Sequence, residues 1–229
     1  MSPIRVLIVT RPSLDESQLP HHIPVMPGTD TETSVPSRGI AARLWTAARS
    51  EFAARGYHGA RVQGIARRAA CNVALLYRHW ASKRALYLEI LRSIWVGNAQ
   101  NMARLTEDRG GAEAVVSAYL ETRLSDPEAS QILIREYLDG GPFLRELAEK
   151  EPELARPVLQ AATSIQGSNG HALRAGIDPL MAVMTVGALA SLAASAKDAA
   201  TPFFGENPPT DEAWKRHLSD LLLNGLLAR

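Results

Sequence analysis

The chain has 229 residues, 46% of them hydrophobic, enough to bury a substantial core as one large or two modest domains. Its single cysteine excludes an intramolecular disulfide and suits a reducing cytosol, so a cytoplasmic location is expected. The formal net charge of +1 hides strong polarity: residues 38–92 hold eleven basic and two acidic side chains, net +9, against −2 for 1–37 and −6 for 93–229. A polyanion would meet that positive end first, although a plain solvated helix face would carry such charge too.

Residues 1–37 hold Pro3, Pro12, Pro20, Pro24, Pro27 and Pro36 among scattered Ser, Thr and Asp, a composition that favours neither helix nor core. A flexible extension is expected there, or a stretch upstream of the native start. A basic n-region followed by a long apolar run, as a signal peptide requires, is missing from it. His21-His22 is a lone pair, and no metal site is expected.

The segment 38–92 reads as three short helices and the start of a fourth. Ile40, Leu44, Ala47, Ala48 and Phe52 follow helical spacing up to Gly56. Val62, Ile65, Ala66 and Ala69 give a second short stripe. Ala70-Cys71-Asn72 forms a tight connection, with Cys71 as a small apolar plug and Asn72 as an N-cap. A third helix follows over 73–80, with Leu76, Tyr77 and Trp80 on the inner side. Ser82 caps a helix that begins at Lys83. Two short helices joined by small residues inside a basic three-helix unit match the DNA-binding helix-turn-helix.

These residues also resemble the TetR family of bacterial transcriptional regulators. Ala47-Ala48, Phe52, Gly56-Tyr57, Ile65-Ala66, Ala69, Leu76-Tyr77, His79-Trp80 and Ser82-Lys83 stand at the family's offsets. There are four departures. The hydroxyl cap of the second helix is replaced by Ala60-Arg61, and the acid before Ile-Ala by Gly64. The Gly-Val-Ser turn has become Ala70-Cys71-Asn72, and the acid after Ser-Lys is Arg84. Arg61 and Arg84 thereby add phosphate-seeking charge. In the helix-turn-helix docking mode the third helix enters the major groove. Asn72, Val73, Ala74 and Arg78 are then candidates for base edges, with Gln63 in support, while Arg61, Tyr77, His79 and Lys83 would hold phosphates.

The remainder reads helical throughout. A long helix over 83–105 carries the head onto the body. Further helices are expected over 112–125 and 129–137, a short turn at Phe143–Leu147, and a helix over 157–175 interrupted at Gly167 and Gly170. Asp178-Pro179 starts an uncharged helix over 179–196, whose length raises a membrane span. Its Ala, Ser, Thr and Gly content argues instead for a helix buried on both sides. With the last helix, 210–227, it carries more apolar surface than one body needs. The resemblance implies a homodimer through 179–196 and 210–227, where Gly187, Ala188, Ser191 and Ala194 would allow close approach.

No nucleophile–base set, phosphate loop or zinc motif is present, so an enzyme is not expected. Polar and aromatic residues in the body helices nominate an effector pocket of Trp95, Met102, Tyr119, Arg123, Glu136, Tyr137, Asn169 and His171, each of which has a plainer reading as core or surface. The expectation is an all-α protein: an extension (1–37), an N-terminal three-helix helix-turn-helix DNA-binding domain (38–92), and a C-terminal helical ligand-binding and dimerisation domain (93–229). Its partners would be double-stranded DNA with a palindromic operator and a small-molecule effector, with no cofactor and no membrane. Repression and effector control come from the resemblance alone. A constitutive DNA-binding protein, or a helical enzyme or membrane-associated protein, are the alternatives.

Overall fold

The computed structural model describes residues 39–106, 111–166 and 173–226; the reading of 1–37 as an extension lies outside them. The described residues form ten α-helices and two short 3₁₀ turns. In the head, α1 (Gly39–Gly59), α2 (Val62–Arg68) and α3 (Val73–His79) enclose Leu44, Ala48, Phe52, Ile65 and Leu76. Each large apolar side chain so buried contributes roughly 1.5–3 kcal/mol. Gly56 breaks the helical course of α1 with φ 66°, a conformation in which glycine has no steric penalty.

Local caps set the helix starts. The Leu75 N–H donates to Asn72 Oδ1 at 3.0 Å, Ala85 N–H to Ser82 Oγ at 3.0 Å, and Met181 N–H to Asp178 Oδ1 at 2.9 Å. Ala70, in the turn between α2 and α3, takes a left-handed φ of 50° although it is not glycine. Tyr77, read as an inner residue, is instead 50% exposed.

Helix α4 (Lys83–Thr106) runs from the head into a body of α5 (Ala112–Ser125), α6 (Pro127–Leu138), α7 (Pro142–Lys150), a 3₁₀ turn (Pro152–Ala155), α8 (Arg156–Gln166), α9 (Pro179–Ala200), a second 3₁₀ turn (Thr201–Phe204) and α10 (Asp211–Leu226). Helix α8 is described as far as Gln166, and residues 173–175 are not helical. The expected interruption at Gly167 and Gly170 lies outside the described residues. Phe143–Leu147 belongs to a full helix rather than one turn.

Two apolar clusters form the core, and they do not divide at residue 92. One unites α1–α3 and the first half of α4 with Ala129, Ile132 and Leu133 of α6 and Leu144 and Leu147 of α7. The other joins Met102 at the far end of α4 to α5, α8, α9 and α10. Helix α9 is long and apolar enough to cross a membrane by length and composition, yet one face packs on α5, α6 and α8. Gly187, Ser191 and Ala194, expected at a subunit contact, point into this chain's own body. A Cβ on Gly187 would meet Tyr119 Cε1 at 2.9 Å, and the Ser191 hydroxyl donates to the Gly187 carbonyl. The outer face carries Leu180, Met181, Met184, Leu189 and Leu192, all exposed.

Candidate nucleic-acid interface and effector cavity

Most of the positive charge of the head is committed internally. Arg43 Nε donates to the Ala69 carbonyl, Arg49 clasps Asp126 at 2.7 Å, and Arg92 pairs with Glu151 at 2.6 Å. Buried Glu51 binds Arg55 at 3.1 Å and lies 3.7 Å from Arg68. A Cβ on Gly64 would come within 2.8 Å of Glu51 Oε1, so Glu51 fills the space where an acid at position 64 would sit. The absence of an acid at Gly64 is therefore compensated from α1.

Two cations expected at phosphates are held by this chain instead. Lys83 Nζ donates to the Ala60 carbonyl at 2.8 Å and stands 4.5 Å from the Tyr57 ring centre, and partial burial lowers its pKa. Arg84 pairs with Glu146 and lies over the Phe143 ring. What remains on the outside of α2, the turn and α3 is Arg61, Gln63, Arg67, Asn72, Ala74, Tyr77, Arg78 and His79, all exposed, with Val73 half-buried. Among the described residues Arg61, Arg67 and Arg78 carry no ion pair. Arg67 was not singled out from the sequence, although it belongs to the conspicuous Arg67-Arg68 pair. Because Asn72 Oδ1 caps α3, only its amide NH₂ is left to face outward.

At the junction between head and body the charged groups are matched. Arg135 on α6 donates through Nε to the Ala53 carbonyl at 2.8 Å and through Nη2 to the Ala54 carbonyl at 2.7 Å, closing the last turn of α1 before Gly56. Glu136, only 1% exposed, accepts from the Tyr87 hydroxyl at 3.1 Å and from the Phe143 and Leu144 N–H groups at 2.7 and 3.2 Å. Its carboxylate thus caps the N-terminus of α7. Glu136, nominated for the pocket, is not among the residues that line the body cavity.

The cavity lies deeper in the body, between α4, α5, α6, α8 and α9. Trp95, Asn98, Met102, Tyr119, Arg123, Leu133, Tyr137, Val158, Val183 and Met184 are among its lining residues, and its volume is about 50 Å³. That is room for roughly three or four water molecules. Five of the eight nominated pocket residues meet here: Trp95, Met102, Tyr119, Arg123 and Tyr137. Asn169 and His171 lie outside the described residues. Sequence reading passed over Asn98 as a pocket residue, and the apolar wall from α8 and α9 gave no polar signal. Burial pushes the Tyr119 hydroxyl up to about 12 and raises that of Tyr137, so both stay protonated.

Residues 44–90, from α1 into α4, match the family model described as bacterial regulatory proteins, tetR family. The match covers the helix-turn-helix head, which is that of the TetR family. The chain is 27% identical over 158 residues to the HTH-type transcriptional regulator RutR of Escherichia coli, covering 66% of this chain and 74% of that one. It is 30% identical over 118 residues to the HTH-type transcriptional repressor SCO4008 of Streptomyces coelicolor, covering 51% and 60%. A solved regulator from Saccharomonospora viridis, in complex with choline, superposes with TM-score 0.57 at 18% identity over 82% of this chain and 97% of that one. The protein is a DNA-binding transcriptional regulator, with a helix-turn-helix head and a helical body. Its relatives are regulators rather than enzymes.

Proposed function

We propose that this regulator is a homodimeric repressor that grips a palindromic operator and lets go when a small molecule enters the body cavity. One observation carries the reading: a single helix, α4, belongs to both sites. Its first half lies in the core of the head through Leu86, Tyr87 and Ile90, and its second half lines the cavity through Trp95, Asn98 and Met102. A molecule that shifts the cavity end of a rigid helix moves α2 and α3 as well. By linkage, operator DNA must lower affinity for that molecule by the same factor.

The exposed face of α2 and α3 supports the DNA contacts. Arg78 takes a guanine edge, with Asn72, Val73, Ala74 and Gln63 beside it, while Arg61, Arg67, Tyr77 and His79 hold phosphates. Lys83 is reassigned from the backbone of DNA to the framework of the head. The outer face of α9, with Leu221 of α10, supports a two-fold dimer, so that two copies of α3 meet two half-sites. Repression agrees with the name of the S. coelicolor relative, and effector control with the choline held by the S. viridis neighbour. The cytoplasm is the compartment where such a protein works.

The test is selection of bound sequences from random duplex DNA with the purified full chain, followed by displacement from the selected site with small molecules. A palindromic consensus, and release by a compound that fits the cavity, are expected. The narrowness of the cavity favours a second reading, a constitutive DNA-binding protein. Operator binding that no cavity ligand alters would establish it. A chain that stays monomeric in light scattering at micromolar concentration would remove the dimer.

A further inference from the structure

Arg123 is the exception among the buried charges. It sits on α5 with only 5% of its surface exposed, and its Nε and Nη1 have no hydrogen-bond partner. Burying a guanidinium without a counter-ion costs folding free energy, so such a group is retained for a reason other than stability. Asp126, one turn further along, favours the charge through space but gives it no hydrogen bond, being engaged with Arg49 at 2.7 Å and the Ala129 N–H. The Tyr119 ring centre lies 5.8 Å from Arg123 Cζ, and the Tyr137 phenol also faces the guanidinium.

Among the described residues, the cavity into which Arg123 opens is lined by no acidic side chain and no second cation. Its walls are apolar or aromatic, apart from Asn98 and the two phenols. Trp95 Nε1 is already occupied by the Leu154 carbonyl. An arginine keeps its charge even where burial opposes it, and two protonated tyrosines can only donate or accept, not neutralise. The site therefore presents one unmatched positive charge in an apolar chamber.

We infer that the effector is a small organic monoanion: a carboxylate that pairs with Arg123, on an aryl or short alkyl body held by Trp95, Tyr119 and Tyr137. This rests on the effector reading above and names its chemical class. A phosphate dianion would call for a second cation, which the lining does not offer. A quaternary amine would meet a buried charge of its own sign. The 50 Å³ now free means that the body must widen to admit such a molecule, and Met102 and Met184 are the flexible side chains at hand.

The experiment is calorimetry and thermal melting of the full chain with benzoate, phenylacetate, hexanoate and octanoate, against benzamide, hexanamide and choline. Carboxylates should bind at least about tenfold tighter than their amides, and Arg123→Met should weaken them roughly tenfold to a hundredfold. Arg123→Lys should keep part of the affinity. With no ligand, Arg123→Met should melt at the wild-type temperature or a few degrees above it, because an unpaired charge has been removed. Equal binding of acid and amide, unchanged carboxylate affinity in Arg123→Met, or no binding by any of the four acids at millimolar concentration would each overturn the inference. So would a large drop in the melting temperature of both variants, which would make Arg123 a structural residue. Operator release by choline or an amide alone would leave effector control standing and remove only the anion. Failure of the wild-type chain to bind any duplex would remove the regulator reading while the calorimetric comparison still stood.

Discussion

The junction of head and body and the interior of the body treat charge in opposite ways. Around the end of α1, Arg49, Arg135, Asp126, Glu128 and Glu136 all have partners, and two of those side chains cap helices. A few residues away on α5, Arg123 has none at two of its nitrogens. The two faces of α9 repeat the contrast with apolar surface: Val183, Val186 and Ala190 are filled in, while Leu189 and Leu192 stand bare. Where valences are satisfied the residues hold the fold, and where they are left open we propose that the protein binds.

Glu136→Ala gives the largest expected loss. It leaves the Tyr87 hydroxyl and the Phe143 and Leu144 N–H groups without their acceptor, at about 1–3 kcal/mol for each group left buried. A destabilisation of at least about 3 kcal/mol, or roughly 6–12 °C in melting temperature for a chain of this length, is expected in a thermal melt. A loss no larger than that of Arg123→Met would erase the contrast. On α9 two neighbouring residues should part company. Ser191→Arg drives a charge into a site with 0% exposure and should prevent folding. Leu192→Arg, at a residue 50% exposed, should keep the melt intact and yield monomers in light scattering. If Leu192→Arg stays dimeric, the outer face of α9 is not the interface.

What could be read from the sequence follows the range of the interaction. The caps at Asn72, Ser82 and Asp178 act three residues along the chain, so residue type and position were enough to find them. The aromatic and basic series from Ala47 to Lys83 is local too, and the head followed from it. The engagement of Lys83 and Arg84 within the chain was not legible, because their partners Ala60 and Glu146 lie 23 and 62 residues away. Helix α3 has only seven residues, too few for periodicity to tell that Tyr77 faces out. Small residues on α9 looked like a subunit contact, but Gly187 is small because the Tyr119 ring lies against it. In the cavity, aromatic and charged residues could be nominated singly. Only packing could separate Arg123, unpaired, from Glu136, which is fully engaged.

Within the head the same contrast sorts cations into those left without an ion pair, which we propose face DNA, and those held by the chain itself. Arg78→Ala should cost roughly 1–3 kcal/mol on the selected operator and little on random duplex, measured by titration at fixed salt. Arg61→Ala should weaken both alike and make the salt dependence shallower by a slope of about 1. Lys83→Ala, by contrast, should leave that slope nearly unchanged, since its ammonium is held by the Ala60 carbonyl. A slope change as large as that of Arg61→Ala would return Lys83 to the phosphates.

The smallest effect concerns the one place where the tightly matched head is strained. Ala70 adopts φ 50° in the turn before α3, where a side chain with Cβ crowds the following carbonyl at a cost of about 1 kcal/mol or more. Ala70→Gly removes that crowding. It also gives the unfolded chain more freedom, which offsets roughly 0.4–1 kcal/mol. The Ala70 methyl is on an exposed residue, so little packing is lost with it. The balance should be a stabilisation of about 0.5 kcal/mol, or roughly 1–2 °C in the melt. Operator affinity should hardly change, because Asn72 still caps α3 and sets its direction. A fall in melting temperature would mean that Ala70 is not strained, and that the turn is held by contacts of its methyl group after all.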